Sequence, residues 1–126
     1  MMGRGTTEPK ERPSWLESAL EKSKYYQEAR KYYGNHAATN SLYVEVTPDG
    51  QILFYDGWQY KRGMQEGKRG LLQQAEIARI SVDRDKWQAE LASAISFARR
   101  ARKEFGWNVI PVFNGEEVDV RVKWKR

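Results

Sequence analysis

The first part of the chain carries apolar residues that return at helical spacing. They are Trp15, Leu16, Ala19, Leu20, Tyr26, Ala29 and Tyr33. Ser14 and Glu17 have the spacing of a capping box, which satisfies backbone N–H groups at the start of a helix. Gly34 and Asn35 tolerate the left-handed conformation that ends one. The pattern predicts a helix over residues 15–33, after a flexible, polar arm over residues 1–13.

Two extended segments joined by a turn follow this helix. Residues 42–47 alternate between the two sides of a strand, and the apolar side carries Leu42, Val44 and Val46. Residues 48–50 form a Pro-Asp-Gly turn signal, and residues 51–62 resume an extended pattern. We predict a β-hairpin, in which Gly57 marks a bulge that redirects Trp58.

The next segment leads into a second helix. Glycines among basic residues over 63–70 predict a mobile loop, and residues 71–82 fit either a helix or a strand. We favour a strand for at least residues 77–82. Asp83 is a suitable N-cap for the helix that follows. Its apolar stripe comprises Trp87, Leu91, Ala94, Ile95, Ala98 and Phe105, and it ends before Gly106.

The last segment, residues 107–126, reads as two extended runs joined by Asn114 and Gly115. Both residues accept the positive φ that a type I′ turn requires, so a second hairpin is expected. The complete prediction is a single α+β domain over residues 14–126. It consists of a helix, an antiparallel sheet of three or four strands, a long helix across that sheet and a closing hairpin. A homodimer is an additional expectation.

Composition narrows the chemistry. The chain has no Cys, so thiolate metal sites are excluded, and His36 is its one histidine, which disfavours zinc sites of ordinary type and Ser-His-Asp triads. We therefore predict a protein that is not an enzyme and that uses no metal or cofactor. No stretch has the roughly 20 apolar residues of a membrane span, and the amino terminus lacks a secretory signal, so a cytoplasmic location is expected.

Charge and aromatic content point to a polyanionic partner. Lys and Arg total 22 against 17 Asp and Glu, which gives a net charge of +5, and 13% of residues are aromatic. Cations can meet phosphates while bases stack on aromatic rings. The residues that combine these properties are Tyr43, Tyr55, Trp58, Tyr60, Lys61, Arg62, Lys68 and Arg69. Peripheral contacts are expected from Arg99, Arg102 and Lys123. These residues predict sequence-tolerant binding of single-stranded DNA or RNA.

The central segment also resembles the positive-cofactor-four transcriptional coactivators, and the related PUR and Whirly proteins share its plan of strands followed by a helix. The matching stretches are LYVEV at 42–46, GQILF at 50–54, GKRG at 67–70 and ISVDRDKW at 80–87, within residues 42–102. The resemblance implies a curved antiparallel sheet, dimerisation through the helix and a single strand lying across the sheet. It further implies that Lys68 and Arg69 contact the backbone of that strand, that Trp58 or Tyr60 stacks, and that Trp87 packs.

Two other functions fit parts of the sequence. The tyrosine pairs of the first helix, at 25–26 and 32–33, would show one ring of each pair at the surface. With neighbouring cations, those rings could bind a partner protein or a nucleotide, as in a small inhibitor or ligand-sequestering protein.

A second alternative is a restriction-type nuclease, in which carboxylates converge on Mg²⁺. The candidate carboxylates are Glu45, Asp49, Asp56 and Asp119. Arg121 then stands where such enzymes use lysine, and its guanidinium cannot shuttle a proton.

Overall fold

A computed structural model describes residues 23–35, 41–67 and 69–120 of the chain. The helices are α1 (Lys24–Asn35), α2 (Gly57–Glu66), α3 (Arg69–Ala75) and α4 (Trp87–Phe105), and a short 3₁₀ turn (Arg84–Lys86) precedes α4. The strands are β1 (Ser41–Val46), β2 (Gln51–Asp56), β3 (Glu76–Ser81), β4 (Asn108–Phe113) and β5 (Glu116–Glu117). The predicted α+β class is confirmed.

The five strands form one mixed sheet in the order β3-β2-β1-β4-β5. β1 and β2 are the predicted antiparallel hairpin, with Tyr43 opposite Tyr55. β1 and β4 are parallel, with Leu42 opposite Val109. The prediction of a purely antiparallel sheet is therefore wrong. α4 carries the chain from β3 at one edge to the far side of β1, and such a crossover permits parallel pairing.

β1 is buried on both of its faces. Its apolar side, Leu42, Val44 and Val46, packs with α1 and α4 in the main core. Tyr43, on the other side, packs with Tyr60 of α2 and Ala75 at the end of α3. Helices therefore cover both faces of the sheet at its centre. The open sheet surface that the sequence resemblance implies is not present at β1.

The long helix follows its predicted stripe. The Asp83 side chain accepts a hydrogen bond from the Asp85 backbone N–H at 3.0 Å and caps the 3₁₀ turn that leads into α4. Leu91, Ala94, Ile95 and Ala98 are buried against the sheet. The helix ends at Gly106, which has a left-handed φ of 70° and donates back to the last turn. The prediction for this helix is confirmed.

α1 is held by its tyrosines. The Tyr25 hydroxyl lies 2.8 Å from a Glu90 carboxylate oxygen, and the Tyr33 hydroxyl donates to the Asn108 carbonyl at 3.0 Å. Tyr25, Tyr26 and Tyr32 are buried, and Tyr33 is half-buried. The expected row of exposed tyrosines is therefore wrong, because both members of each pair pack. Residues 15–22 of the predicted helix, its capping box and the amino-terminal arm lie outside the described residues.

Three predictions between residues 51 and 82 need correction. β2 ends at Asp56, and Gly57 begins α2 instead of forming a bulge. The segment expected to be a mobile loop is largely occupied by the end of α2 and the start of α3. The Asp56 side chain explains the change, because it accepts a hydrogen bond from the Gln59 backbone N–H at 3.2 Å and so caps a helix. The predicted strand at 77–82 is confirmed as β3.

The closing hairpin has the predicted turn but a shorter second strand. Asn114 and Gly115 have φ values of 55° and 79°, as a type I′ turn requires. Only Glu116 and Glu117 pair with β4, and the Val118 N–H donates to the Pro111 carbonyl at 2.9 Å, after which the predicted extended run leaves the sheet within the described residues. Residues 121–126 lie outside the described part of the chain. None of the described helices has the length and apolarity needed to cross a bilayer.

Gly57 marks the tightest approach of α2 to β1. A Cβ at this position would lie 2.8 Å from the Ser41 Cβ and would also collide with the Ser41 carbonyl oxygen. We expect Gly57→Ala to lower the free energy of unfolding by about 1 to 3 kcal/mol, since backbone atoms cannot yield as a flexible side chain can. Urea denaturation followed by circular dichroism measures the change.

Gly34→Ala is the matched control, because a Cβ at Gly34 meets nothing within 4 Å and alanine favours helix. Equal stability of the two variants would contradict the close packing of α2 on β1.

Candidate functional site

The outward side of α2 combines an exposed aromatic ring with exposed cations. Trp58, Lys61, Arg62 and Gln65 recur at three- and four-residue intervals and are all exposed. We call these four residues the outer face of α2. On the inward side, Gly57, Tyr60 and Gly63 are buried. A Cβ at Gly63 would lie 2.8 Å from a Leu72 methyl group, so α3 packs closely behind α2.

Trp58 is unusual for its exposure. Its side chain is 63% accessible to solvent, although large aromatic residues normally bury most of their surface. The guanidinium carbon of Arg62, one turn further along, lies 5.0 Å from the centre of the Trp58 ring. That distance is within the range of a cation–π contact. The pair holds an aromatic ring and a positive charge together at the surface.

The cap of α2 explains this placement. Asp56 ends β2 with an extended backbone, and its carboxylate accepts hydrogen bonds from the Gln59 N–H and from the Tyr32 hydroxyl at 2.9 Å. Trp58 thereby becomes the second residue of a helix. The left-handed Gly67, with a φ of 65°, ends α2 by donating to the Gly63 carbonyl. An Asp with Gln three residues later, and a glycine beyond the last turn, were available in the sequence as signals of this helix.

Three predicted stacking tyrosines form a buried cluster instead. Tyr43 is 1% exposed and Tyr60 is 6% exposed, and their ring centres are 4.6 Å apart. The half-buried Tyr55 ring lies 4.7 Å from that of Tyr60. The expectation that these rings face solvent on an open sheet is wrong for Tyr43 and Tyr60, because α2 and α3 cover this face, whereas Tyr55 remains partly accessible. Stacking of a base on the face of the Tyr43 ring is therefore excluded in this conformation.

The hydroxyls of this cluster meet acidic side chains. Tyr43 donates to Glu117 at 3.2 Å and Tyr55 donates to Glu45 at 3.0 Å. Burial, with the nearby charges of Glu45 and Glu117, raises the pKa of Tyr60 to about 12. The same two causes, burial and the adjacent carboxylate, also raise the pKa values of Tyr43 and Tyr55. All three phenols are therefore neutral near pH 7, and those of Tyr43 and Tyr55 donate to the adjacent carboxylates.

A groove of about 410 Å³ lies between α2 and the closing hairpin. Its lining combines aromatic, apolar and charged groups, and we call it the Tyr60 groove. The lining residues are Tyr43, Tyr60, Lys61, Met64, Gln65, Gly115 and Glu117. Met64, Gln65, Gly115 and Glu117 were not among the predicted site residues. Once α2 is known to be a helix, its spacing places Met64 one turn after Tyr60 and Gln65 one turn after Lys61. No local signal in the sequence places Glu117 beside them.

Of the remaining predicted cations, the structure describes the side chains of Arg99 and Arg102, and these two do not join the outer face of α2. Lys68 and Lys123 lie outside the described residues, and of Arg69 the structure describes the backbone, which begins α3. Arg99 and Arg102 belong to α4, which packs on the opposite face of the sheet. Arg99 donates to the Val120 carbonyl, and an Arg102 nitrogen lies 3.5 Å from the Val109 carbonyl oxygen. Arg99 thus contacts the segment that follows β5, and Arg102 contacts β4.

The four carboxylates considered for a metal site do not converge. Asp49 bonds the Thr47 hydroxyl in a turn, Asp56 caps α2, and Glu45 accepts from Tyr55. Across the described ranges, no three His, Asp or Glu side chains form a group that could hold a metal ion. The described residues therefore do not show the convergence on Mg²⁺ that the nuclease alternative requires.

No family model matches the chain, and comparisons with curated proteins and with solved structures returned no similar protein.

The Tyr60 phenol provides a test of the buried cluster. Its hydroxyl has no hydrogen-bond partner among the described residues, so Tyr60→Phe should leave stability at pH 7 almost unchanged. Because the folded pKa is raised to about 12, the phenol has little effect on stability below pH 10, and as the pH rises from 10 toward 12 it lowers stability, since the unfolded state ionises first. Tyr60→Phe should therefore lose less stability than the wild type over that range.

Urea unfolding at pH 7 and at several values above pH 9 measures both effects. Tyr33→Phe is the comparison at pH 7, because it removes the hydrogen bond to the Asn108 carbonyl and should cost about 0.5 to 1.5 kcal/mol. Identical alkaline profiles for wild type and Tyr60→Phe would contradict the burial of this phenol.

Proposed function

We propose that this protein binds single-stranded nucleic acid, without catalysis and with little dependence on sequence, through the outer face of α2. The observation that carries the proposal is the exposed Trp58 ring with the Arg62 guanidinium 5.0 Å from its centre. A base stacked on an aromatic side chain contributes about 1 to 3 kcal/mol whatever its identity, because every base has a π face. We place this activity in the cytoplasm.

The charges around Trp58 support a polyanionic ligand. Lys61 and Arg62 are exposed on the same side of α2 as the indole. No ion pair occupies Lys61 within the described ranges, so its ammonium can meet a phosphate. Lys68 and Arg69 follow α2 in the sequence, and we propose that they contact the backbone of the same strand. The net charge of +5 favours the encounter.

The covered sheet changes where the strand binds. A single strand lying across β1 and β2 would need the Tyr43 and Tyr60 rings at the surface, and α2 and α3 bury them. α2 itself instead presents the aromatic ring and the cations. The proposal therefore keeps Trp58, Lys61 and Arg62 as the central contacts and assigns the three tyrosines to support of the helix.

Salt dependence tests the electrostatic part of the proposal. With four phosphates neutralised, the logarithm of the association constant should fall with the logarithm of salt concentration with a slope of roughly −3. Lys61→Ala should reduce the magnitude of that slope by about 0.7. Fluorescence anisotropy of a labelled oligothymidine at several salt concentrations measures both.

Lys103→Ala is the matched control, since it removes one exposed positive charge from α4, on the opposite face of the sheet. Equal effects of the two variants would show that net charge, and not the outer face of α2, attracts the strand. Absence of binding at low salt would overturn the proposal.

Substitution of the indole tests the stacking part. Trp58→Leu should weaken oligothymidine binding by roughly fivefold to a hundredfold, and Trp58→Phe should retain part of the affinity because a ring remains. Because the side chain is 63% exposed, neither variant should change the midpoint of urea denaturation appreciably. Unchanged affinity of Trp58→Leu would exclude the indole as a stacking platform.

A further inference from the structure

The Tyr60 groove adjoins the outer face of α2, because Lys61 and Gln65 belong to both. Its volume of about 410 Å³ lies within the range of small-ligand sites, which begins at roughly 300 Å³. The proposed stacking on Trp58 does not use this groove. A strand held at Trp58 would have a neighbouring nucleotide within reach of it.

The apolar part of the groove suits a flat aromatic group. Met64 is 45% exposed and lines one side, although a methionine at a helix surface gains nothing from contact with water. A thioether is polarizable and packs favourably against an aromatic ring. Tyr60, which is 6% exposed, is an aromatic part of the lining.

Glu117 determines which hydrogen bonds a ligand must make. One of its carboxylate oxygens, Oε2, accepts from the Tyr43 hydroxyl at 3.2 Å, which anchors the side chain at the groove. The described residues offer Oε1 no partner. An ionised carboxylate only accepts hydrogen bonds, so the ligand atoms that meet Glu117 must be donors. Lys61 and Gln65, on the α2 side of the groove, can donate to an acceptor on the same ligand.

From this arrangement we infer that the Tyr60 groove binds a guanine base. Guanine alone among the common bases carries two adjacent donors, N1–H and the 2-amino group, which a carboxylate can accept together, as it accepts the paired donors of arginine. Its neighbouring O6 is the acceptor that Lys61 or Gln65 would meet. Adenine and cytosine place a ring-nitrogen acceptor beside their amino group, and thymine and uracil place carbonyls on both sides of one N–H. A carboxylate would repel those acceptors.

The inference rests on the proposed function, because it makes the guanine a neighbour of the base stacked on Trp58. The same base chemistry could come from a free nucleotide. The probes are therefore an oligothymidine with one central guanine, the same oligomer with adenine, cytosine or hypoxanthine at that position, the unsubstituted oligomer, and guanosine monophosphate as a competitor. Hypoxanthine lacks the 2-amino group and so removes one of the two donors.

We expect the guanine oligomer to bind at least about fivefold more tightly than the adenine, cytosine and unsubstituted oligomers, with hypoxanthine in between. Glu117→Gln should abolish this preference while binding unsubstituted oligothymidine as the control does. The control is Glu116→Gln, which makes the same change in charge at an exposed neighbour that does not line the groove. Glutamine keeps an acceptor for the Tyr43 hydroxyl, so loss of preference would not be explained by misfolding.

The possible results separate the two claims. Binding that depends on Trp58 but shows no guanine preference would overturn the guanine site and leave the proposed function intact. A preference that Glu116→Gln and Glu117→Gln reduce equally would also overturn it. Guanosine monophosphate that competes at the affinity of the oligomer, in a manner lost in Glu117→Gln, would support the guanine site and show that the rest of the strand adds no affinity, which would contradict the proposed contacts at Trp58. No binding by any probe would overturn both.

Discussion

The burial of β1 on both faces is the constraint on which the rest of the structure depends. Its apolar side requires α1 and α4 as a cover, and Tyr43 on the other side requires α2 and α3. A strand covered on both faces is the ordinary situation of parallel sheets, and here it accompanies the parallel pairing of β1 with β4. Any surface that meets a ligand near the centre of the sheet must therefore belong to a helix or to a loop at the sheet edge.

The side chain of Asp56 determines that α2 is the helix that carries the candidate site. Its two carboxylate oxygens meet the Gln59 N–H and the Tyr32 hydroxyl, so a single side chain connects the end of β2, the start of α2 and the last turns of α1. The hydrogen bond to the backbone ends the extended conformation at this point. As a consequence Trp58 and Arg62, which would lie about 13 Å apart along a strand, lie one above the other on a helix surface.

The parts of the fold that local periodicity controls could be predicted from the sequence. Leu42, Val44 and Val46 define β1, the stripe from Trp87 to Phe105 defines α4, and Asn114 with Gly115 defines the closing turn. The parts that depend on competition between local signals could not be predicted from the sequence. The aromatic residues after Asp56 favour a strand, and the helix cap at Asp56 outweighs that preference. Residues 108–113 have the pattern of a strand, but only the path of α4 across the sheet decides that β4 runs parallel to β1.

The candidate site shows the same division, because residue type alone predicts Trp58, Lys61 and Arg62 as site residues, whereas Glu117 reaches the groove through the tertiary packing of a distant hairpin.

The two sides of α2 have different freedom to change during evolution. Its inward side, with Gly57 against Ser41 and Gly63 against Leu72, has no spare volume, so these positions admit few alternatives. Its outward side makes few contacts that the fold needs, and new side chains there would alter recognition while the architecture persists. Relatives of this protein could therefore share its backbone and differ in what they bind. In a laboratory setting, the same helix is the place at which a library of substitutions would explore new ligands without loss of the native structure.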